Sequence, residues 1–544
     1  MTRPAIGAAI ILLTLLTFFQ FPGHTWLQSD TQIYAPILEH IRDPSVLGRD
    51  ILAVRPHVSF TLYDETAVGW ARLTGLGFEQ ILAGEQIALR GFGTWGVYLT
   101  AAGLGLAPAP ALLVTAAFSL GATIMGPAVL SIEYEPVPRG FAVPLLLLAV
   151  GLMAQGRRLA AGIAGAAAFL FHAPTCIPFW AVCFVWALWP GEGRGQRARV
   201  LIPLVIAAVV LSIFSRAQAA SSEPQEFFGR VDPWLETLQR MRGSYNWISI
   251  WWRQWLLHYV LLWIATVAAC WRLRAGMTRD QRIFLAGIPL YAILNVPASY
   301  VLLEKLKWSL MPQVQPMRAL LFVAAFAVIL GAVAGCQAAR NRSWLEAFLW
   351  FLLVYLVPAN RVVALPSPSR TALIVLLAAS TVIALCLYEF RGGGWWVAIA
   401  AAAALPFFLI PTWGGIKNYP TFEHPALTEV ALWARTATQK DDVFLFPDAA
   451  EDLRPGVFRE EALRAVYVDW KGGGQINFLK QLGAEWWSRW QQAMAGGFDA
   501  RHLERYRGLG IDYLVLEKKN RLASPQPAFE NAGFAVYAVG ALTP

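Results

Sequence analysis

The sequence predicts an α-helical polytopic membrane protein carrying a small C-terminal α/β soluble domain. Three observations predict it. Hydrophobic residues fill 57% of the 544 positions and charged residues only 15%. Apolar runs long enough to cross a ~30 Å hydrocarbon core recur from residue 4 to residue 411. Beyond Pro411 the composition changes to that of a soluble domain.

The apolar runs lie at roughly 4–21, 90–106, 108–126, 140–154, 159–171, 175–190, 200–214, 256–271, 283–303, 318–336, 344–358, 371–389 and 395–411, about thirteen spans by length and hydropathy. The first has no A-x-A-like cleavage site after it and many spans follow, so it reads as a retained helix rather than a signal peptide. This divides the chain into a transmembrane domain, 1–411, and an α/β domain, 412–544.

A cytoplasmic N-terminus places Arg157–Arg158, Arg194, Arg197, Arg199, Arg272, Arg274, Arg279, Arg282, Arg340, Arg342 and Arg391 on one side, as the positive-inside rule requires. The net charge of +9 is thereby explained by loops between spans, and nucleic-acid binding is excluded. The same orientation puts 22–89, 127–139, 215–255 and the tail on the outer face of a bacterial inner membrane, with the C-terminal domain periplasmic or extracellular. The five cysteines lie in or beside apolar runs and form no disulfide framework or metal spacing.

Within the first outer loop, Ile33, Tyr34, Ile37, Leu38 and Ile41 recur at helical spacing and Ser29-x-x-Gln32 has the form of a capping box. An amphipathic helix lying on the membrane and kinked at Pro36 is expected, with a second helix from Asp64 to Leu73. Tyr245, Trp247, Trp251, Trp252 and Trp255 read as an aromatic interfacial belt. In the tail, 426–436, 485–494 and 501–506 read as helices and 443–446, 465–468, 511–516 and 535–539 as strands. The triple glycine 472–474 after Lys471 reads as a flexible turn rather than a phosphate loop.

No P-loop, dinucleotide fingerprint, nucleophile elbow or zinc-protease motif is present. The spans carry almost no ionisable residues, which argues against an ion-coupled transporter. Polar groups gather instead beside the outer interface: Asp30 and Asp50, Arg55 and His57, Glu133, Glu135 and Arg139, His172 in FHAP, Lys305 and Lys307, and Arg318 in QVQPMR. Cations neutralise a lipid-linked phosphate while a carboxylate deprotonates an acceptor hydroxyl, so mixed charge at one interface suits glycosyl transfer. Each residue also has a plainer role. Asp30 suits the first turn of a helix that Ser29 caps, and Asp50 suits a cap of the next segment. Glu133 and Glu135 suit solvated loop charges, Arg318 a snorkelling anchor, and His172 a turn between two spans.

The layout resembles the GT-C superfamily of membrane glycosyltransferases, which use polyprenyl-phosphate-linked sugars. The likeness rests on one span followed by a long outer loop with an early acid, on many further spans, and on SDTQIY, GRDIL and EYEP. The chain also resembles bacterial membrane proteins with a GT-C-like core, through QVQPMR and a tail of the type VFLFP…R…VYVDWK…EWWSRW. The resemblance implies a catalytic base at Asp30, a second-loop acid at Glu133 or Glu135, and cationic contacts to the donor phosphate; the residues themselves offer Asp50 as a further acid and Arg55, His57, Arg139, His172 and Arg318 for the phosphate.

The expected activity is that of an integral-membrane hexosyl- or pentosyltransferase, moving sugar from a polyprenyl-phosphate donor to a lipid, glycan or protein acceptor. The tail lacks a WWDYG-type signature, which argues against protein N-glycosylation. Metal dependence is open: oxygen-rich loops suit Mg2+ or Mn2+, but no ligand spacing demands either. Two rivals stand beside this reading, a lipid-linked saccharide transporter and a non-enzymatic assembly protein of a cell-envelope polysaccharide pathway.

Overall fold

The computed structural model describes residues 1–55, 61–190, 193–218, 223, 226–360, 366–391 and 395–542. The chain divides into two compact units. The first comprises Met1–His24, Ala83–Ile213 and Ser244–Asn418, and the second comprises Thr25–Leu82, Phe214–Gly243 and Tyr419–Pro544.

The first unit is helical. Among the described residues six helices are long and apolar enough to cross a membrane: Arg158–Leu188, Arg194–Arg216, Arg253–Gly276, Arg279–Lys305, Leu310–Arg340 and Pro368–Phe390. Five apolar helices are shorter, Arg3–Phe19, Pro108–Ser119, Pro138–Ala154, Trp344–Ala359 and Trp396–Thr412. These helices do not confirm the expected count of about thirteen spans. The runs 159–171 and 175–190 are one helix interrupted at His172, whose backbone leaves the helical region at φ −154°, ψ 86°. The run 108–126 stops being helical at Ser119, and β1 (Thr123–Ile124) and β2 (Val129–Leu130) follow as a short antiparallel hairpin.

Leu320–Arg340 is the central helix. It packs against Pro108–Ser119, Arg253–Leu273, Arg279–Ser299, Trp344–Ala359 and Pro368–Phe390, and so is apolar all round. Elsewhere the helices approach until only glycine fits: a Cβ on Gly96 would overlap the backbone of Leu147, and one on Gly151 the backbone of Gly96. Segments that the charge rule assigned to one side do converge. Arg158 pairs with Asp280 at 2.8 Å, Trp186 Nε1 donates to the same carboxylate at 2.8 Å, and Arg197 lies over the Trp186 ring. Trp247 and Trp251 are buried inside this unit while Trp252 stays half exposed, so part of the expected interfacial belt is core.

The second unit is built on a five-stranded sheet in the order β4-β3-β5-β7-β6, with β3 Val443–Leu445, β4 Ala465–Val466, β5 Tyr513–Glu517, β6 Phe529–Glu530 and β7 Phe534–Ala538. β3 runs parallel to β4 and β5, whereas β7 is antiparallel to β5 and β6, with Leu514 opposite Tyr537. Alternate residues face opposite ways. Leu445, Leu514, Leu516, Ala535 and Tyr537 join one core with Leu482 and Trp486. Phe444, Val466, Val515 and Val536 join another with Leu427, Val430, Val457 and Phe458. Both faces are covered, which is why β3 is an unbroken apolar run.

The helix Thr31–Arg42 completes this unit. Ile33 and Ile37 enter one core and Ala35 the other, and eight of its twelve residues are buried. Its amphipathic face thus packs on the protein's own α/β unit, where a membrane surface was expected. The apolar period is the same for either partner, and the helix continues through Pro36.

Candidate functional site

In the second unit the approach to Asp30 is set by Leu27, which sits at φ +56°. Thr31 Oγ1 accepts the Leu27 N–H at 2.9 Å, and Gln32 Nε2 donates to the Leu27 carbonyl at 2.6 Å. Gln32 is thereby turned away from Ser29, and the expected capping box does not form; Asp30 occupies the N-cap position without a side-chain cap bond. Its Oδ1 instead receives Lys471 Nζ at 2.6 Å, and the same amine reaches Ser29 Oγ at 3.3 Å. Lys471 opens the 3-10 helix Lys471–Asn477. This is a packed turn rather than a flexible one, because a Cβ on Gly473 would meet Trp486 Cζ2 at 2.5 Å and Arg242 Nε at 2.9 Å. Trp486 itself is wholly buried and stacks on Trp490, so these indoles pack the unit.

Asp50 has a different setting. It is 0% exposed; Oδ1 caps the Leu52 and Ala53 amides at 2.9 and 3.1 Å, while Oδ2 accepts Arg459 Nε at 2.7 Å and the Val466 amide at 3.0 Å. Arg459 also donates to Asp469, forming a buried acid–guanidinium–acid triad. Burial works against the Arg459 charge, and the two carboxylates outweigh it and hold the group above the usual arginine range. Arg55 pairs with Glu485 at 2.6 Å, and His57 lies outside the described residues.

The first loop also holds the adjacent acids Asp64 and Glu65, at the start of the helix Tyr63–Thr74. Burial, and then the Glu65 charge, push the Asp64 carboxyl up to about 7. Its Oδ1 is buried without a hydrogen-bond partner among the described residues.

In the first unit, Glu133 and Arg139 are brought together: Arg139 Nε donates to Glu133 Oε1 at 2.6 Å, with both side chains largely buried. Glu135 is 2% exposed. The loop is anchored by Arg90, whose guanidinium donates to the carbonyls of Thr17 at 2.7 Å, Gly23 at 2.8 Å and Glu133. Gln86 donates to the same Glu133 carbonyl at 3.0 Å and pairs with His24 Nδ1 at 2.6 Å. Arg90 was not nominated from sequence; the signal was a lone arginine at the start of the apolar run 90–106.

His172 and Arg318, both nominated for phosphate, line one pocket of the first unit together with Thr175, Tyr291, Asn295 and Gln315. His172 interrupts its helix, and its Nδ1 accepts the Thr175 amide at 3.3 Å, close to Thr175 Oγ1 at 2.8 Å. With Nδ1 an acceptor, a neutral ring carries its proton on Nε2. The first turn of the following half-helix, Pro174 to Pro178, lines the same pocket, and such a turn favours anions. On the other wall Gln315 adopts φ +50°, ψ 55°, a left-handed geometry costly for a side chain with a Cβ, directly before Pro316. Gln315 Nε2 donates to Tyr245 Oη at 3.3 Å, and the Arg318 guanidinium lies 4.9 Å from the Tyr245 ring centroid.

Among the described residues no group of three or more His, Cys, Asp or Glu side chains is placed to hold a metal ion.

Residues 425–493 match the family described as Domain of unknown function (DUF6798). No curated protein matches the chain. Among solved structures the chain is similar to ArnT from Cupriavidus metallidurans, at 14% identity over 99% of this chain and 98% of that one, with a TM-score of 0.42. It is also similar to arabinofuranosyltransferase AftD from Mycobacteria, at 16% identity over 100% of this chain and 40% of that one, TM-score 0.47. A third likeness is to the Archaeoglobus fulgidus oligosaccharyltransferase, at 11% identity over 94% and 69% of the two chains, TM-score 0.39.

Proposed function

We propose that this protein is an integral-membrane glycosyltransferase that moves a sugar from a polyprenyl-phosphate donor to a lipid, glycan or protein acceptor outside a bacterial inner membrane. The observation that carries the reading is the convergence of His172 and Arg318 on one pocket of the first unit, which Thr175, Tyr291, Asn295 and Gln315 also line. A guanidinium and an imidazole N–H are donors a phosphate takes, and a helical surround receives a prenyl chain. Arg318 and His172 hold the donor phosphate in this reading. The left-handed Gln315 fixes the wall from which Arg318 projects.

Asp30 is the general base that removes the proton from the acceptor hydroxyl. Of the four carboxylates nominated by the sequence it is the one a substrate can reach. Its side chain is 22% exposed, against 5% for Glu133 and 0% for Asp50, and Glu135 is equally enclosed. Lys471 holds the carboxylate in one orientation, as a general base requires. Glu133 supports the second loop through Arg139, and Asp50 supports the fold of the first.

The test is a pair of variants in the purified protein in nanodiscs. Arg318→Met should abolish saturable binding of undecaprenyl phosphate. Asp30→Asn should retain that binding and lower turnover of lipid-linked sugar by about 10²- to 10⁴-fold. Undiminished lipid binding in the first variant removes the donor site, and full transfer in the second removes the base.

A further inference from the structure

The second unit contains an open hollow of about 320 Å³ that none of these roles uses. It is walled by the 48–55 segment, Val443, Tyr467, two residues of the helix Lys480–Ala493, and Leu509–Gly510. Its charged lining is Arg49, Arg55, Arg489 and Glu485, three cations against one anion, or two positive charges net. The Glu485 carboxylate lies between two guanidiniums: Arg55 Nη2 meets Oε2 at 2.6 Å and Arg489 Nη2 meets Oε1 at 2.9 Å. Side-chain exposures of 30%, 23% and 34% for Arg55, Arg489 and Glu485 keep the trio open to solvent.

The remaining geometry fixes the cations. Arg489 Nη1 donates to the Tyr467 carbonyl at 3.1 Å, and its guanidinium lies 4.9 Å from the Tyr467 ring centroid. Arg49 donates to the carbonyls of Asp441 at 3.0 Å and Gly510 at 2.7 Å and to Asp512 at 3.0 Å. A guanidinium carries five N–H donors in a planar fork. Glu485 takes one from Arg55 and one from Arg489 in these bonds, so each fork has further donors for a second anion. Ile51, Val54 and Leu509 add apolar wall, and Glu485 is an acceptor for a hydroxyl. Cationic forks, one acceptor carboxylate and an apolar wall are the groups that an acidic sugar ring pairs with.

We infer that this hollow is a binding site for an anionic sugar, whose carboxylate or phosphate joins Arg55 and Arg489 and whose hydroxyls meet Glu485. Glu485 occupies the forks while the site is empty and becomes the sugar's hydroxyl acceptor when it is filled. The site stands apart from the transfer step and binds with no donor present.

Titration of the full-length protein in nanodiscs with D-glucuronate and with D-glucose 6-phosphate, against neutral D-glucose, tests the assignment. Saturable binding of an acid and not of glucose is expected, and the two acids separate carboxylate from phosphate recognition. Arg55→Ala should weaken binding at least about tenfold, and the isosteric Glu485→Gln, which frees both forks, should tighten it about tenfold. Should the Arg55→Ala protein fail to fold, Glu485→Gln carries the test. The inference is overturned by absence of acid binding, by equal binding of glucose, or by an affinity that Glu485→Gln leaves unmoved or weakens. Binding is read without turnover, so failure here and loss of transfer in the Asp30→Asn protein are separate outcomes.

Discussion

Lys471 Nζ stands 2.6 Å from Oδ1 of Asp30, a residue 441 positions earlier in the chain. The pair ties the first loop to the turn after β4, and both side chains are mostly buried, at 13% and 22% exposure. Lys471→Met and Asp30→Asn each leave a largely enclosed charge without its partner and should cost about 1–3 kcal/mol of stability. Transfer should also fall in both. The double variant should be no worse than Asp30→Asn alone, because Lys471 acts through Asp30. Additive losses across the cycle would assign Lys471 a role of its own.

Asp50, Arg459 and Asp469 form a wholly enclosed triad, so their variants should be read in stability rather than in kinetics. Arg459→Met leaves two buried carboxylates facing each other and should cost about 3–5 kcal/mol. Asp50→Asn should also destabilise, losing its charge toward Arg459. Denaturant unfolding followed by tryptophan fluorescence checks both, and a neutral Arg459→Met would show that the triad does not hold this unit together.

Asp64 makes stability fall as pH rises. Its folded carboxyl titrates at about 7 and its unfolded one near 3.8. Between those values the folded form holds a proton that the unfolded form has lost, so unfolding becomes easier through this window and levels off above 7. At about 1.4 kcal/mol per pH unit the ceiling is about 4 kcal/mol. The Asp64→Asn protein should match the wild type at pH 4 and exceed its melting temperature at pH 8. Parallel melting curves across that range would remove Asp64 as the titrating group.

Arg90 supplies donors to three carbonyls from different parts of the first unit. Arg90→Leu leaves buried acceptors without their donor, each costing about 1–3 kcal/mol. A fall in melting temperature of roughly 5 °C or more is expected in detergent. An unchanged melting temperature would show that the Glu133 loop is held by Arg139 and Gln86 alone.

The sequence by itself determined the elements of this protein whose cause is local. The helices Pro425–Ala437 and Pro368–Phe390 and the strands β3, β5 and β7 coincide with runs whose period or length specifies them. The interruption at His172 was legible as the gap between two apolar runs, because a proline two residues later disfavours a continuous helix. Candidate residues were legible as types: a carboxylate after the first span, and an arginine and a histidine among apolar neighbours.

Tertiary structure decided what those residues meet. Ile33 and Ile37 have the same spacing whether their partner is lipid or the face of a sheet, and only the packed sheet shows which. Asp30 and Asp50 are both acids of one loop, yet one takes a lysine at a partly open edge and the other an arginine in a closed core. Lys471, Arg459 and Glu485 lie more than four hundred residues from the loop groups they pair with. His172 and Arg318, on different helical segments of the first unit, share a pocket because the helix Arg158–Leu188 packs against the 3-10 turn Pro316–Ala319. Charge partners are chosen by three-dimensional approach, and a linear pattern records the residue type without the distance that gives it a role.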